Sequence, residues 1–227
     1  MNTTSHTSTH PLNQESQSRL PLWLKIAYSA FMAVLVPVYW HHYGLTNFLY
    51  FCDVALFLTL VGLWNESPLL LSLPAVGILL PQALWCFDFI VQLSGGELTG
   101  MTAYMFDEGR PLYLRALSLF HGWLPFFLFF SIKRVGYDRR SFRGWTAIAT
   151  TLCLIAFFAL PAAGADLPDT NTPRNINYVF GMNDAAPQTW LHPVVYLGAW
   201  ILALVTLIYL PTHALLKQLC PVPTHRR

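Results

Sequence analysis

A single histidine, His121, stands in the middle of an apolar segment that runs from Leu112 to Ile132. Between Arg115 and Lys133 this segment carries no charged side chain. An ionisable group at mid-depth in a bilayer is costly, and for that reason it is a candidate for function. Histidine is also the side chain that most often serves as a general base near neutral pH. We therefore take His121 as the first candidate catalytic residue.

Pro125 follows His121 by four positions in the same segment. Proline has no backbone N–H, so in a helix the carbonyl oxygen of the residue four positions earlier loses its usual hydrogen-bond donor. The spacing therefore predicts a free backbone acceptor on His121, beside its imidazole.

Other polar residues lie in or beside neighbouring apolar segments and supply the remaining roles. Cys52 is a candidate nucleophile, and His121 would deprotonate either its thiol or a substrate hydroxyl. Asp53 or Asp88 would orient the imidazole as the carboxylate partner. The alternative for Asp53 is structural, a pairing with Arg115 or His121 that fixes helix packing. The candidate residues for contacting a lipid headgroup or acyl carbonyl are Arg115, Asn47 and Asn177.

The composition is that of an integral membrane protein. Hydrophobic residues make up 55% of the chain and charged residues 11%, and the mean hydropathy is +0.45. The four cysteines show no close pairing in sequence, so neither a disulfide framework nor a zinc knuckle is indicated. We expect no metal and no cofactor. The one basic run, residues 133–143, is short and interrupted, and we expect no nucleic-acid partner.

Six apolar segments are each close to the length of about 20 residues that a spanning helix needs. We predict an all-α polytopic fold with a disordered polar tail at 1–18, a six-helix transmembrane domain at 19–218 and a short basic tail at 219–227. Two long loops, 94–110 and 164–188, are expected to bind a ligand or cap a cavity. The predicted spans are Leu22–Trp40, Leu45–Trp64, Leu69–Leu93, Leu112–Ile132, Trp145–Ala163 and Trp190–Leu210.

The distribution of Lys and Arg predicts the orientation of these spans. With the N-terminus inside, ten of the thirteen Lys and Arg residues fall on the cytoplasmic side. Both termini are then cytoplasmic and both long loops are outside. The candidate residues all fall in the outer half of the membrane, and this predicts an outward-facing intramembrane polar cluster.

Seven short stretches resemble a family of uncharacterised bacterial multi-pass membrane-associated proteins. The resemblance implies an integral multi-pass protein, which we expect in the bacterial inner membrane. The stretches are residues 47–53, 85–89, 104–107, 118–121, 136–140, 175–181 and 209–213.

The order of Cys52, then His121, then Asn177 with Tyr178 is also similar to an integral-membrane family that includes a phospholipid acyltransferase using a Cys–His pair. This similarity implies that Cys52 is the nucleophile, that His121 is its base, and that Asn177 and Tyr178 belong to the substrate site. Tyr50 stands where relatives in that family place a histidine.

Two functions follow from these patterns. The first is a membrane-embedded lipid-processing enzyme of the acyl-transfer type, built on His121 and Cys52. The second is a non-enzymatic membrane component that binds a lipid, a small hydrophobic ligand or a partner protein, with the same polar residues joining helices. Under either, membrane lipids are the expected partners.

Overall fold

The structure is a computed structural model that describes residues 18–169 and 171–223. In these ranges the regular elements are helices, and they include no strand. The predicted all-α class is therefore confirmed for this part of the chain. Residues 1–17 of the predicted polar tail and residues 224–227 of the predicted basic tail lie outside the described residues.

The helices agree with most of the predicted segments. Leu119 alone separates α4 from α5, and a π-helix, Leu204–Tyr209, joins α7 to α8. Short 3-10 helices lie at Leu45–Leu49, Ala103–Met105 and Ile176–Tyr178. The α-helices are α1 Leu22–Tyr43, α2 Phe51–Trp64, α3 Pro68–Leu93, α4 Leu112–Ser118, α5 Phe120–Val135, α6 Ser141–Ala159, α7 Pro193–Ala203 and α8 Leu210–Leu219.

Within the described ranges, five helical segments are long and apolar enough to cross a membrane. The length and apolar composition of these segments fit a multi-pass membrane protein. The spans are α1, α3, α4 with α5, α6, and α7 with α8. The helix α2 has only 14 residues, about 21 Å, against the roughly 30 Å of a bilayer's hydrocarbon core.

The prediction that the second helix begins at Leu45 is wrong. Gly44 has a φ of +77°, a left-handed conformation that glycine adopts without strain, and it turns the chain after α1. Residues 45–49 then form a 3-10 helix, and Tyr50 is extended before α2 begins. Apolar composition extends over both parts and does not distinguish one helix type from the other.

The helix α3 is the centre of the bundle, because it packs against α2, α5, α6 and α8. More of it is buried than of any other candidate span. Close approach to α6 depends on Gly77, since a Cβ atom at this position would lie 1.8 Å from the indole ring of Trp145. The long loops 94–110 and 164–188 follow α3 and α6. We call the side of the bundle where these helices end the loop end, and the opposite side, which carries residues 133–143, the basic end.

At the basic end, Glu66 ties the start of the described chain to the turn between α2 and α3. Its carboxylate accepts hydrogen bonds from the Ser18 hydroxyl, from the backbone N–H of Arg19 at 3.0 Å and from the Lys25 ammonium at 2.8 Å. Burial alone would raise the pKa of Glu66, but these donors outweigh it and lower the pKa to about 2. Glu66 is therefore an ionised anchor for the first residues before α1.

Candidate functional site

His121 lies in the first turn of α5, half-buried, and its ring is held by a backbone carbonyl. The Nδ1 atom is 2.9 Å from the carbonyl oxygen of Ser118. A carbonyl only accepts, so Nδ1 carries the hydrogen and Nε2 keeps its lone pair. Within the described residues, neither Asp53 nor Asp88 hydrogen-bonds to the imidazole. The orienting partner therefore differs from the carboxylate that we expected.

Two aromatic rings stack on the imidazole. The ring of Trp85 lies 5.3 Å from it with planes 21° apart, and the ring of Phe120 lies 4.0 Å away with planes 26° apart. The imidazole is thus fixed in direction by stacking as well as by its hydrogen bond.

A thiol approaches the carbonyl that Pro125 deprives of its helical donor. The Sγ atom of Cys86 lies 3.8 Å from the carbonyl oxygen of His121 and 3.9 Å from that of Gly122. These are long contacts from a weak donor. The His121 carbonyl therefore has a neighbour on α3, and Cys86 acts there as a packing residue between α3 and α5.

Asp53 lies in the first turn of α2 and is only 3% exposed. Its Oδ2 atom accepts a hydrogen bond from the side-chain amide of Asn47 at 3.2 Å, and the Cys52 thiol lies 3.9 Å away. Its Oδ1 atom is buried and has no hydrogen-bond partner among the described residues. The structure therefore brings Asn47, Cys52 and Asp53 together and leaves one carboxylate oxygen unused.

Gln82 is a polar residue of the bundle interior that the sequence analysis missed. It lies in α3 with 3% of its surface exposed, and in the described chain neither its amide oxygen nor its amide nitrogen has a partner. A glutamine directly after a proline inside an apolar run was the available signal. Buried polar atoms are normally paired, so two unused atoms on one side chain require an explanation.

Helix packing places Gln82 and Asp53 at nearly the same depth. The antiparallel helices α2 and α3 meet where Gly62 faces the side chain of Leu71. Asp53 precedes Gly62 by nine residues and Gln82 follows Leu71 by eleven. With the helical rise per residue, the two side chains lie about 14 Å and about 17 Å from that contact, both toward the loop end.

A group of hydroxyls lies close to His121, whose ring contacts Ser118 and Trp85. The hydroxyls of Tyr39 and Ser118 are 2.9 Å apart. The indole N–H of Trp85 donates to the hydroxyl of Tyr104 at 3.2 Å. These four residues were not predicted, because tyrosine, serine and tryptophan are common in apolar helices for packing alone.

Asp88 holds the first long loop. Its carboxylate accepts hydrogen bonds from the N–H and hydroxyl of Thr99, both at 2.7 Å, and from the N–H and hydroxyl of Thr102 at 2.9 and 2.6 Å. Arg115 holds the same loop in place, because its guanidinium donates a hydrogen bond to the carbonyl oxygen of Met105 at 3.2 Å. Both predicted site residues thus fix the loop over the bundle.

Asn177 fastens the second long loop to α2. Its side-chain oxygen accepts from the N–H of Phe51 at 3.0 Å, and its side-chain nitrogen donates to the carbonyl oxygen of Leu49 at 3.0 Å. Tyr178 lies partly exposed beside it, and its carbonyl oxygen accepts from the hydroxyl of Tyr196 at 3.2 Å. Asn177 is therefore the residue that satisfies the first turn of α2.

Cys52 and His121 do not hydrogen-bond to each other anywhere in the described residues. No group of three His, Cys, Asp or Glu side chains that could hold a metal ion occurs in those same residues. The chain matched no family model, no curated protein and no solved structure in three comparisons. The two family resemblances of the sequence accordingly stay predictions.

Proposed function

We propose that this membrane protein binds the polar end of a membrane lipid beside Asp53 and Gln82, without chemical conversion. The observation that carries the proposal is that three of the seven buried side-chain polar atoms without a partner in the described chain belong to two residues at nearly the same depth: Oδ1 of Asp53 and both amide atoms of Gln82. Such atoms cost free energy in an apolar interior unless a ligand or water pairs with them.

The unused atoms define the chemistry of the headgroup. A carboxylate oxygen and an amide oxygen accept hydrogen bonds, and an amide nitrogen donates one. No ion pair neutralises Asp53 in the part of the chain that the structure describes. A headgroup with hydroxyl or ammonium donors and at least one acceptor therefore fits, and the loops held by Asp88 and Asn177 would enclose it.

The proposed setting is a six-span protein of the bacterial inner membrane with both termini in the cytoplasm. The excess of Lys and Arg at the basic end supports this orientation. It makes α2 a short sixth span whose missing length is supplied by residues 45–49 and by the second long loop. The lipid site then belongs to the outer half of the membrane.

Lipid processing by acyl transfer is the second candidate function, and the geometry of His121 favours it. With Nδ1 engaged by Ser118, the Nε2 lone pair is available to a substrate hydroxyl or to a thiol that approaches it. Substitution H121A should then change the cellular lipid profile while the protein still folds, and substitution H41A should not. An unchanged profile in a folded H121A variant rules this candidate out.

Native mass spectrometry of the protein purified in mild detergent tests the binding proposal. The wild type should carry a copurified lipid, and Q82L should lose it. Because Q82L removes atoms that have no protein partner, it should not lower stability. The matched control is T59V on α2, which removes a buried hydroxyl that already donates to Ala55 and should leave the lipid bound.

Substitution D53L removes the carboxylate and leaves Gln82 in place. It tests the other half of the site and should also release the lipid. If Q82L and the wild type retain the same lipid to the same extent, the unpaired atoms do not bind it and the proposal fails.

A further inference from the structure

A second feature, lined by none of the residues of the polar cluster, is a groove between α6 and the last span. Its volume is about 480 Å³, within the range of small-molecule sites. The groove is open to the side and mainly apolar, and it is lined by Phe142, Arg143, Thr146, Ala147, Thr150 and Val205.

The wall opposite α6 is irregular helix. Val205 belongs to the π-helix Leu204–Tyr209, which is followed by Pro211 in the first turn of α8. A proline has no backbone N–H, so a carbonyl oxygen in the turn before it loses its hydrogen-bond donor. Short π-helical turns inside α-helices are often found at functional sites.

Arg143 gives the groove a charged end. Its side chain is exposed and forms no hydrogen bond or ion pair with any of residues 18–169 and 171–223. Its neighbour Arg140, in contrast, is paired with Asp138 at 2.7 Å. From Arg143 the groove extends at least to Thr150, seven residues or about 10 Å along α6, away from the basic end.

We propose that this groove binds one anionic phospholipid, with the phosphate on Arg143 and an acyl chain over Ala147, Thr150 and Val205. A guanidinium matches the geometry of a phosphate in two parallel hydrogen bonds. Basic pockets between membrane helices are typical sites for acidic headgroups. The groove begins at the basic end and continues into apolar surface, which is the order of a phospholipid from headgroup to chain.

Charge complementarity favours a lipid over a second copy of the chain. A two-fold interface at this groove would use the same patch on both copies and would therefore enclose two unpaired Arg143 charges in one interface. Like charges at an interface are unfavourable. An anionic lipid instead neutralises the free guanidinium.

The test compares lipid retention by native mass spectrometry after exchange into detergent containing phosphatidylglycerol or phosphatidylcholine. The wild type should retain phosphatidylglycerol preferentially. Substitution R143Q should reduce this retention about fivefold, the effect of one cationic side chain at a membrane surface. Substitution R139Q, which removes the same charge from the basic end outside the groove, should leave retention close to that of the wild type.

Substitution A147F tests the groove itself, because it adds a ring to an exposed position that faces the lipid and needs no repacking of the core. It should reduce phosphatidylglycerol retention with Arg143 intact. Three results would each overturn the proposal: equal retention of phosphatidylcholine, equal losses in R139Q and R143Q, or full retention in A147F. A dimer that A147F converts to a monomer would assign the groove to a second copy instead.

Discussion

The side chain of Asn177 accepts a hydrogen bond from the backbone N–H of Phe51, 126 positions earlier in the chain, at 3.0 Å. The first N–H groups of a helix have no partner within the helix, and inside a membrane water does not replace one. Asn177 has a φ of +60°, a conformation that asparagine tolerates better than most residues. The short helix α2 is therefore completed by a residue from the second long loop.

Substitution N177A should lower the free energy of unfolding by roughly 1–3 kcal/mol, because the N–H of Phe51 and the carbonyl of Leu49 both lose their partner. Thermal unfolding in detergent measures the effect. The matched control is N171A, an exposed asparagine of the same loop, which should leave the unfolding temperature unchanged. Equal unfolding temperatures for N177A and the wild type would mean that the contact contributes nothing to stability.

Substitution D88A should release the first long loop while the helices stay folded. The amides of Thr99 and Thr102 donate to this carboxylate, so their hydrogen exchange should accelerate about tenfold or more. Exchange in D107A, which removes an exposed aspartate from the same loop, serves as the reference. Slow exchange of both threonine amides in D88A would show that other contacts hold the loop.

Substitution G77A should destabilise the bundle severely. The added Cβ would lie 1.8 Å from the ring of Trp145, and crowding of this kind costs at least about 1–3 kcal/mol in a packed core. Gly198 in α7 has open space at the same position, so G198A should be neutral or stabilising by up to about 1 kcal/mol. Comparing folded yield and unfolding temperature of the two variants checks the prediction, which fails if both behave alike.

Substitution E66Q should lower stability in a pH-dependent way. The folded-state pKa of Glu66, about 2, lies below its ordinary value of 4.5. The ionised form therefore stabilises the fold above pH 4.5, and this contribution is lost as the pH falls toward 2. The difference in unfolding temperature between wild type and E66Q should be largest near neutral pH. It should shrink toward zero as the pH falls from 4.5 to 2. A difference that stays constant with pH would contradict it.

The ends of several spans could be predicted because clear signals bound the apolar runs. Pro21 precedes α1, and Ser94-Gly95-Gly96 follows α3, and both ends agree with the prediction. The start of α2 could not be predicted, because residues 45–49 are almost as apolar as the helix that follows. Hydropathy predicts which residues enter a membrane, but it does not predict the backbone conformation that they adopt there.

The contacts of the candidate site residues could not be predicted from the sequence. Asp88 pairs with threonines 11 and 14 positions later, and His121 with a carbonyl three positions earlier, and both pairings are local. We expected partners on other helices, since depth in the membrane indicates which groups share a layer and not which groups touch. The contact from Asn177 to Phe51 carries no sequence signal beyond the unusual length of the loop.

The separation of 126 positions between Phe51 and Asn177 also sets an order of events during synthesis. At about 5–20 residues per second, a ribosome needs about 6–25 s to proceed from one to the other. Until Asn177 is made, the first turn of α2 lacks its permanent acceptor, although α2 and α3 are complete well before the end of that period. The helix that carries Cys52 and Asp53 is thus finished late, when the loop that covers it arrives.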